Sequence, residues 1–375
     1  MSLSPKQVSW GLTHSRVDLM PATHGGIDYA ELEMLGIASQ EVLDFSANLN
    51  PFGPPPGLME TINEMDISHY PDSESTSLRR SLSSRLGIKQ DNIIVGNGST
   101  ELIRLAALAY FDQEDKVLII EPTFGEYELA CQFAGASVIK QQLLPEDAFQ
   151  LDVKETIALI QRHGATGVFI ANPNNPSGQY ISQIEFEKIL DAAKNALIVL
   201  DEAYISFVEN SWTSLDFILA DNLLVLRSMT KDYAMAGLRL GYGVASEEII
   251  ANLHNISLPW NVNALAQKAG IVALENEEYL NYCRAELEKA KSYLITELSA
   301  LGLSPLPSKA NFFLVEVGDA RIFRMELLKR KILVRDCTSF GLPQYIRIAP
   351  RTLPECQKLI ASVKEIMKEK RRIKL

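Results

Sequence analysis

The chain has 375 residues, which is too many for one ordinary core and about right for two domains of common size. Hydrophobic residues make up 47% of it and charged residues 22%, so the chain can bury a large core. Its net charge of -11 argues against binding to nucleic acid or to an anionic membrane, because both partners need a basic protein surface that neutralises their phosphates.

The sequence contains no apolar run of the ~20 residues that span a bilayer, and its N-terminus lacks the apolar stretch of a secretory signal. We therefore expect a cytoplasmic protein with no membrane partner. Its 4 cysteines are scattered, without a Cys-x-x-Cys pair or neighbouring histidines at metal-ligand spacing. This pattern predicts reduced thiols and no metal site.

Short β-rich runs alternate with amphipathic stretches between about residues 91 and 226. The runs that we predict to be buried strands are residues 92–95, 116–120, 167–171, 196–200 and 222–226. Alternation of this kind favours a mostly parallel sheet covered by helices on both faces. The sequence therefore predicts a large doubly wound α/β domain.

The flanking segments predict a second, smaller α+β domain. Residues 41–57 are rich in Pro and Gly, so we expect an extended arm that crosses between the domains. A long helical pattern begins at about Asn263, and further strands are predicted at residues 310–317, 332–335 and 345–348. The predicted divisions are residues 1–57 (an N-terminal arm and part of the small domain), 58–262 (the large domain) and 263–375 (the small C-terminal domain).

Unusual residues follow each predicted strand of the large domain. The loops are G-N-G-S-T at residues 96–100, P-T-F at 122–124, N-P-N-N-P-S-G at 172–178, D-E-A-Y at 201–204 and R-S-M-T-K at 227–231. In open α/β sheets, ligands bind at the carboxyl edge of the strands. These loops are therefore expected to form one site.

The loop at residues 96–100 suits a phosphate group. Two glycines let a ligand approach the backbone closely, and Ser99 and Thr100 open a helix whose free N–H groups attract an anion. A plain strand-to-helix turn is the alternative interpretation of this loop.

Asp201 follows the apolar run Ala-Leu-Ile-Val-Leu, so we predict that it lies at the buried end of a central strand. An unpaired carboxylate is costly there and requires a cationic partner. A protonated pyridine nitrogen is one such partner, and the carboxylate keeps that nitrogen charged so that the ring can accept electrons. A helix cap or an ordinary salt bridge are the alternatives.

Lys231 shares a short segment with Ser228, Thr230 and Arg239. Two hydroxyls and a permanent guanidinium can hold a phosphate, and the amine can form an imine with an aldehyde beside it. A lone lysine is usually a solvated surface residue, whereas this one lies within a cluster. The cluster predicts a site for a phosphorylated aldehyde.

In their order along nearly the whole chain, these motifs resemble the fold-type I pyridoxal-phosphate enzymes of the class I/II aminotransferase superfamily. The resemblance implies an α/β fold of the PLP-dependent transferase-like type, pyridoxal 5'-phosphate as cofactor, and a homodimer. The residues that it assigns to the cofactor are Gly98, Ser99, Thr100, Phe124, Asn175, Asp201, Tyr204, Ser228, Thr230, Lys231 and Arg239, with Tyr70 of the partner subunit.

The same resemblance implies a role for each catalytic residue. Lys231 binds the cofactor covalently and moves protons, and Asp201 pairs with the pyridine nitrogen. Asn175 and Tyr204 hydrogen-bond the phenolic oxygen of the ring. Phe124 stacks on the ring face, although core filling is the alternative interpretation of that side chain. Lys231, Asp201 and Tyr204 are thus the predicted catalytic residues.

Two further pairs of segments resemble the L-threonine-O-3-phosphate decarboxylases, which are lyases of cobalamin synthesis. They are H-G-G at residues 24–26 with D-F-S-A-N-L-N-P-F-G-P at 44–54, and I-L-V-R-D-C at 332–337 with Y-I-R-I-A-P-R at 345–351. A substrate that carries a carboxylate and a phosphate needs two strong anion sites, and Arg335 and Arg347 supply bidentate donors. The resemblance gives the α-carboxylate to Arg347, while the division of the two anions among the donors stays open.

The substrate residues implied by this resemblance are His24, Gly25, Asn48, Asn175, Arg335 and Arg347. A simple turn residue is the alternative for His24, and a surface salt bridge is the alternative for either arginine. The second candidate function is a histidinol-phosphate aminotransferase, which transfers an amino group to 2-oxoglutarate and shares the lysine, the aspartate and the phosphate site. The third is a non-catalytic regulator that binds the same cofactor.

Overall fold

The computed structural model describes residues 24–373, so the first part of the predicted N-terminal arm lies outside the described residues. Within that range the strands are, in chain order, β1 (Leu43–Asp44), β2 (Ile93–Asn97), β3 (Lys116–Glu121), β4 (Ser137–Gln142), β5 (Gly167–Ala171), β6 (Leu197–Asp201), β7 (Leu223–Ser228), β8 (Leu240–Ala245), β9 (Ser304–Pro305), β10 (Phe313–Glu316), β11 (Ile332–Leu333), β12 (Arg335–Asp336) and β13 (Tyr345–Ile348).

The helices of the same range connect and cover these strands. They are α1 (Tyr29–Met34), α2 (Leu58–Asn63), α3 (Thr76–Leu86), α4 (Ser99–Tyr110), α5 (Glu126–Ala134), α6 (Val153–His163), α7 (Gln183–Ala192), α8 (Glu247–Ile256), α9 (Ala264–Leu274), α10 (Glu277–Ala300), α11 (Ala320–Leu328) and α12 (Leu353–Ile373). None of these helices is both long and apolar enough to cross a membrane.

The larger sheet has seven strands in the order β2-β8-β7-β6-β5-β3-β4. Neighbouring strands are parallel except at β8, which runs antiparallel to both β2 and β7. Separate apolar clusters pack against the sheet, and together they bury the apolar runs of β3, β5, β6 and β7. The predicted fold class, a doubly wound and mostly parallel α/β sheet with a smaller α+β part, is confirmed.

Two strands of this sheet were absent from the prediction. The edge strand β4 has the sequence SVIKQQ, which lacks a continuous apolar run. The strand β8 contains Gly241 and Gly243, and glycine weakens a strand pattern. Gly241 is required by close packing, because a Cβ atom there would lie 2.5 Å from the backbone nitrogen of Ser99.

The smaller sheets differ from the prediction in several respects: β1 and β9 were not predicted, and the strand predicted at residues 310–317 is limited to β10. The predicted strand at residues 332–335 is divided at Val334: β11 pairs in parallel with β1, whereas β12 pairs antiparallel with β13. The four-stranded sheet has the order β12-β13-β10-β9. Its apolar face packs against α10, α11 and α12 in a separate core. The division at Val334 leaves Arg335 in register with the central strand β13.

The long helical pattern that begins near Asn263 is also two helices. Asn276 separates them, and its side-chain Nδ2 donates to the carbonyl of Val272 at 2.8 Å. Ala266, Ala269 and Ala273 of α9 lie in the core of the larger sheet. The division into domains stays a proposal, and we now propose that α9 belongs with the larger sheet rather than with the residues that follow it.

The segment after β1 connects the two cores and brings its backbone to the site. Phe45 is buried in the core of the smaller sheet, and Leu58 is buried in that of the larger one. Between them, the backbone nitrogen of Asn50 donates to the carbonyl of Lys231 at 2.8 Å, and its side chain donates to the carbonyl of Asp232 at 2.9 Å. The segment therefore fixes the position of the loop that carries Lys231.

Candidate active site

The loops after β2, β3, β5, β6 and β7 meet at the carboxyl edge of the larger sheet, where they border a cleft of about 550 Å³. The predicted site residues that line this cleft are His24, Gly25, Asn48, Thr100, Phe124, Asn175, Tyr204, Thr230, Lys231, Arg239, Arg335 and Arg347. Its deeper part is lined in addition by Ser99 and Asp201. The structure thus brings nearly all the predicted residues of one chain together.

Asp201 is the last residue of β6 and is buried at the floor of the cleft. Its Oδ2 accepts a hydrogen bond from the Tyr127 hydroxyl at 2.8 Å, and its Oδ1 accepts one from the Ala203 backbone nitrogen at 2.9 Å. Burial raises the pKa of this carboxyl, while Tyr127, Ala203 and the charge of Lys231 lower it. The helix-cap alternative does not describe this environment, which is that of a carboxylate held for a cationic ligand.

Lys231 lies beside Asp201 with its amine directed into the same cavity. Its Nζ donates to the Thr230 hydroxyl at 2.8 Å and lies 6.0 Å from the centre of the Tyr204 ring. The pKa of this amine is lowered to about 8, because burial and, less strongly, the Arg239 charge outweigh the opposing effects of Asp201 and Asp232. A substantial neutral fraction near pH 8 makes the amine a nucleophile.

The predicted phosphate site lies at the start of α4. Gly98 has a φ of 76°, and a Cβ atom there would lie 2.9 Å from a terminal nitrogen of the Arg239 guanidinium. Ser228 and Thr230 share a hydroxyl hydrogen bond of 2.7 Å behind Lys231. Free N–H groups of a helix start, hydroxyls and a guanidinium are the donor set that a phosphate takes.

A chain of polar side chains runs across the cleft from Asn48. The Asn48 Nδ2 donates to the Tyr204 hydroxyl at 3.0 Å, and the Tyr204 ring packs edge-on against Phe312 at 4.9 Å. Asn175 accepts a hydrogen bond from the guanidinium of Arg347 through its Oδ1. Tyr204 and Asn175 therefore have fixed positions above Asp201.

Arg335 and Arg347 are buried, so the alternative of surface salt bridges is wrong for both. Arg347 donates to the carbonyl of Ser46 at 2.8 Å as well as to Asn175, and its guanidinium lies 5.2 Å from the centre of the Phe312 ring. These hydrogen-bond partners are neutral. Among the described residues, the Nε of Arg347 has no hydrogen-bond partner.

Arg335 lies nearer to the N-terminal segment. Its guanidinium donates to the carbonyl of His24 at 2.9 Å and to the hydroxyl of Ser339 at 2.7 Å. Burial lowers the pKa of both guanidinium groups, and the charge of Arg347 lowers that of Arg335 further. The two groups thus form a positive surface in a chain whose net charge is -11.

The H-G-G segment forms one wall of the cleft. A Cβ atom on Gly25 would lie 2.8 Å from the carbonyl oxygen of Ser46 and 3.3 Å from the Arg347 guanidinium, so only glycine fits without a shift. His24 hydrogen-bonds Glu126 at 3.0 Å through Nε2, and its ring centre lies 5.5 Å from that of Phe124. His24 is therefore more than a turn residue.

Three contributors to the site were absent from the prediction: Tyr127, Glu126 and Ser46. Tyr127 and Glu126 follow the P-T-F motif within Gly-Glu-Tyr, so their proximity to Phe124 was the available signal. Ser46 lies inside the D-F-S-A-N motif, but it contributes a backbone carbonyl, which no side-chain pattern indicates.

Tyr70 does not line the cleft of its own chain. It is 79% exposed and stacks on Trp260 with ring centres 4.4 Å apart. Its predicted role therefore depends on a second subunit.

Comparison with known proteins identifies the family. A family model described as aminotransferase class I and II matches residues 40–363. The chain belongs to this family. The match confirms the prediction of a pyridoxal 5'-phosphate enzyme at the level of the family, so a non-catalytic regulator is no longer a candidate.

Individual relatives carry two different names. The histidinol-phosphate aminotransferase of Moorella thermoacetica is 35% identical over 336 residues, which are 88% of this chain and 86% of that protein. The structure of the histidinol-phosphate aminotransferase from Clostridium acetobutylicum has a TM-score of 0.81 and 31% identity, with 88% of this chain and 100% of that chain covered. The L-threonine-O-3-phosphate decarboxylase from Porphyromonas gingivalis has a TM-score of 0.77 and 28% identity, with 86% and 99% covered.

The residues of the cleft fit the cofactor of this family. Asp201 offers a buried carboxylate for a ring cation, Lys231 offers an amine for an aldehyde, and the region of Gly98 and Arg239 offers donors for a phosphate. Glycine at position 98 leaves room that a side chain would fill. These residues, with Tyr204 and Asn175 on either side, would hold pyridoxal 5'-phosphate.

The lowered pKa of Lys231 predicts how the apo-protein binds its cofactor. Only the neutral amine attacks an aldehyde, so the rate of covalent attachment should rise with pH and level off above about 8 rather than near 10.5. The rate is measured from the visible absorbance that develops when pyridoxal 5'-phosphate is added. Lys231→Ala is the control and should develop no such absorbance; a wild-type rate that still rises steeply at pH 10 would contradict the prediction.

Proposed function

We propose that the protein is a pyridoxal 5'-phosphate-dependent decarboxylase that converts L-threonine O-3-phosphate to aminopropanol O-2-phosphate and carbon dioxide. The observation that carries the proposal is the pairing of Arg335 with Arg347. The two residues are directly opposite each other in the antiparallel pair of β12 and β13. Like charges in this position repel each other, and an anionic ligand in the space before the pair would reduce that repulsion.

This pair is separate from the donors expected to hold the cofactor phosphate. Those donors lie at Gly98 and Arg239, at the start of α4, whereas Arg335 and Arg347 lie on the smaller sheet across the cleft. A ligand with two anionic groups of its own can give each guanidinium a separate charge-assisted contact. Threonine phosphate carries a carboxylate and a phosphate, and histidinol phosphate carries only the phosphate.

The surroundings of each guanidinium favour one assignment of the substrate carboxylate and phosphate to the two arginines. Arg347 is hydrogen-bonded to Asn175, which lines the same deep cavity as Lys231. The α-carboxylate is adjacent to the substrate amine that meets Lys231, so we assign it to Arg347. Arg335 is bonded to His24 and Ser339 farther along the cleft, and we assign the phosphate to it.

The chain's own groups can perform the steps that this reaction requires. The bound cofactor supplies an electron sink for the pair left when a bond at Cα breaks. Asp201 maintains the charge that makes the sink effective. Arg347 orients the carboxylate, and burial of the cleft excludes water from the reacting carbon. The Lys231 amine then delivers a proton to Cα in place of the lost carboxylate.

Histidinol-phosphate aminotransferase is the second candidate, and the comparisons favour it. The relatives at 35% and 31% identity described above carry this name, as do several others of similar identity. Its amino acceptor, 2-oxoglutarate, carries two carboxylates and meets the same pair of guanidinium groups in a separate half-reaction. The two candidates differ in which substrate brings two anionic groups to the pair: the phosphorylated amine donor itself, or the keto acid that follows it.

The proposed reaction predicts product without any keto acid. Cofactor-loaded protein given L-threonine O-3-phosphate alone should release carbon dioxide and a phosphorylated amine in equal amounts. Arg347→Gln should lower kcat/KM by roughly 100-fold or more, because it removes a buried bidentate contact to a charged group.

The matched control is Arg330→Gln, which removes a guanidinium that donates to Glu369 at 2.9 Å and does not line the cleft. Its kcat/KM should stay within about threefold of that of the wild type. Turnover of histidinol phosphate with 2-oxoglutarate, together with no carbon dioxide from threonine phosphate, would establish the second candidate instead.

We also propose that the active unit is a homodimer in which Tyr70 completes the phosphate site of the partner subunit. Tyr70 and Trp260 are stacked on the surface, and Ile67 and Leu258 are 74% and 72% exposed. Exposed apolar side chains of this size favour a protein interface over solvent. We propose that a second copy of the chain covers this apolar surface, which would explain why Tyr70 lies outside the cleft of its own chain.

Hybrid dimers test this arrangement. A Lys231→Ala chain keeps Tyr70, and a Tyr70→Ala chain keeps Lys231, so each hybrid has one intact site and one doubly altered site. An equal mixture, dissociated and reassociated, should recover about a quarter of the wild-type activity, since about half the dimers are hybrids with one working site each. Activity no greater than the sum of the separate variants would show that Tyr70 is not shared between subunits.

A further inference from the structure

Glu126 is a buried carboxylate that lies between the His24 imidazole and the Arg104 guanidinium beside the cleft. It is the first residue of α5 and is 4% exposed. Its Oε1 accepts from His24 Nε2 at 3.0 Å, and its Oε2 accepts from the Arg104 guanidinium at 3.1 Å. A carboxylate in the first turn is favoured by the helix dipole, and the two hydrogen bonds reduce the cost of burying it.

The hydrogen bond to Glu126 determines how the His24 ring is presented. A carboxylate can only accept a hydrogen bond, so the His24 ring must carry a proton on Nε2 to donate it. The Nδ1 edge is then the one available to a ligand. The side chain of His24 is 50% exposed and lines the cleft. Its packing on Phe124 restricts the plane of the ring further.

The backbone of His24 extends this connection to the smaller sheet. Its carbonyl accepts from the Arg335 guanidinium at 2.9 Å. A continuous set of contacts thus runs from α5 through His24 to Arg335 on β12. Arg104 is bonded to Glu126, and Arg347 lies beyond Gly25. The cavity beside His24 and Arg335 is also lined by charged residues, which are Asp28, Glu31, Arg321, Arg324 and Asp336.

We propose that Glu126 is a positioning residue for the phosphate group of the substrate. It acts through His24, whose ring it orients toward the phosphate and whose carbonyl holds the guanidinium of Arg335 in place. The inference rests on the proposed function, which places the substrate phosphate at Arg335. Glu126 itself does not contact the substrate.

The test compares two ligands in cofactor-loaded protein by the change that each causes in the visible absorbance of the cofactor. The ligands are O-phospho-L-threonine and L-threonine, which differ only in the phosphate. Glu126→Gln should weaken binding of the phosphorylated ligand by about tenfold, the value of one charged hydrogen bond. Binding of L-threonine should change less than about twofold.

The matched control is Glu128→Gln, the same substitution two residues along α5. Glu128 bonds Lys140 at 2.9 Å on the surface and does not line the cleft. It should leave the binding of both ligands unchanged. In a His24→Ala background, Glu126→Gln should cause no additional loss, because its effect passes through the missing ring.

Equal weakening of both ligands by Glu126→Gln, or a full additional loss in the His24→Ala background, would overturn the inference and leave Glu126 with a structural role only. This result does not depend on the reaction catalysed, because the absorbance change is recorded on mixing, before product accumulates. Loss of selectivity for the phosphorylated ligand without any release of carbon dioxide would support the role of Glu126 and reject the decarboxylase. Release of carbon dioxide with no change in selectivity would support the decarboxylase and reject the role of Glu126.

Discussion

The burial of Asp201 at the end of β6 is the constraint on which the site depends. A carboxylate in the middle of a seven-stranded sheet is unfavourable unless polar groups surround it, and Tyr127 and Ala203 satisfy only part of its capacity. The side that faces the cavity needs a cation. The neighbouring strands β5 and β7 end at the same edge of the sheet, and the loops that follow them place Asn175 and Lys231 next to that cavity. A ligand that enters the cavity can therefore supply the positive charge that Asp201 requires.

A second constraint comes from the smaller sheet. It places two opposed guanidinium groups, Arg335 and Arg347, beside the cleft, although the whole chain is acidic. The N-terminal segment closes this side of the cleft, since Gly25 packs against Arg347 and His24 connects Arg335 to Glu126. The site therefore uses contributions from both sheets and from a segment that lies far from them in sequence.

The sequence was sufficient for features that are local. Each strand of the larger sheet with a continuous apolar run was predicted to within two residues at either end, and the loops that follow these strands carry the residues predicted to bind the cofactor. The sequence did not predict hydrogen bonds between residues that are far apart along the chain. Tyr127 and Asp201 are 74 residues apart, and His24 and Glu126 are 102 residues apart. The break at Val334 also depends on tertiary pairing, because β11 and β12 join different sheets.

The most direct test concerns the partner of Asp201. Protein loaded with cofactor labelled with ¹⁵N at the pyridine nitrogen gives an NMR shift that reports whether this nitrogen carries a proton. We predict the shift of a protonated nitrogen in the wild type at neutral pH, and that of a neutral nitrogen in Asp201→Asn, whose amide cannot stabilise the cation. A wild-type nitrogen that is neutral at pH 7 would contradict the role assigned to this buried carboxylate.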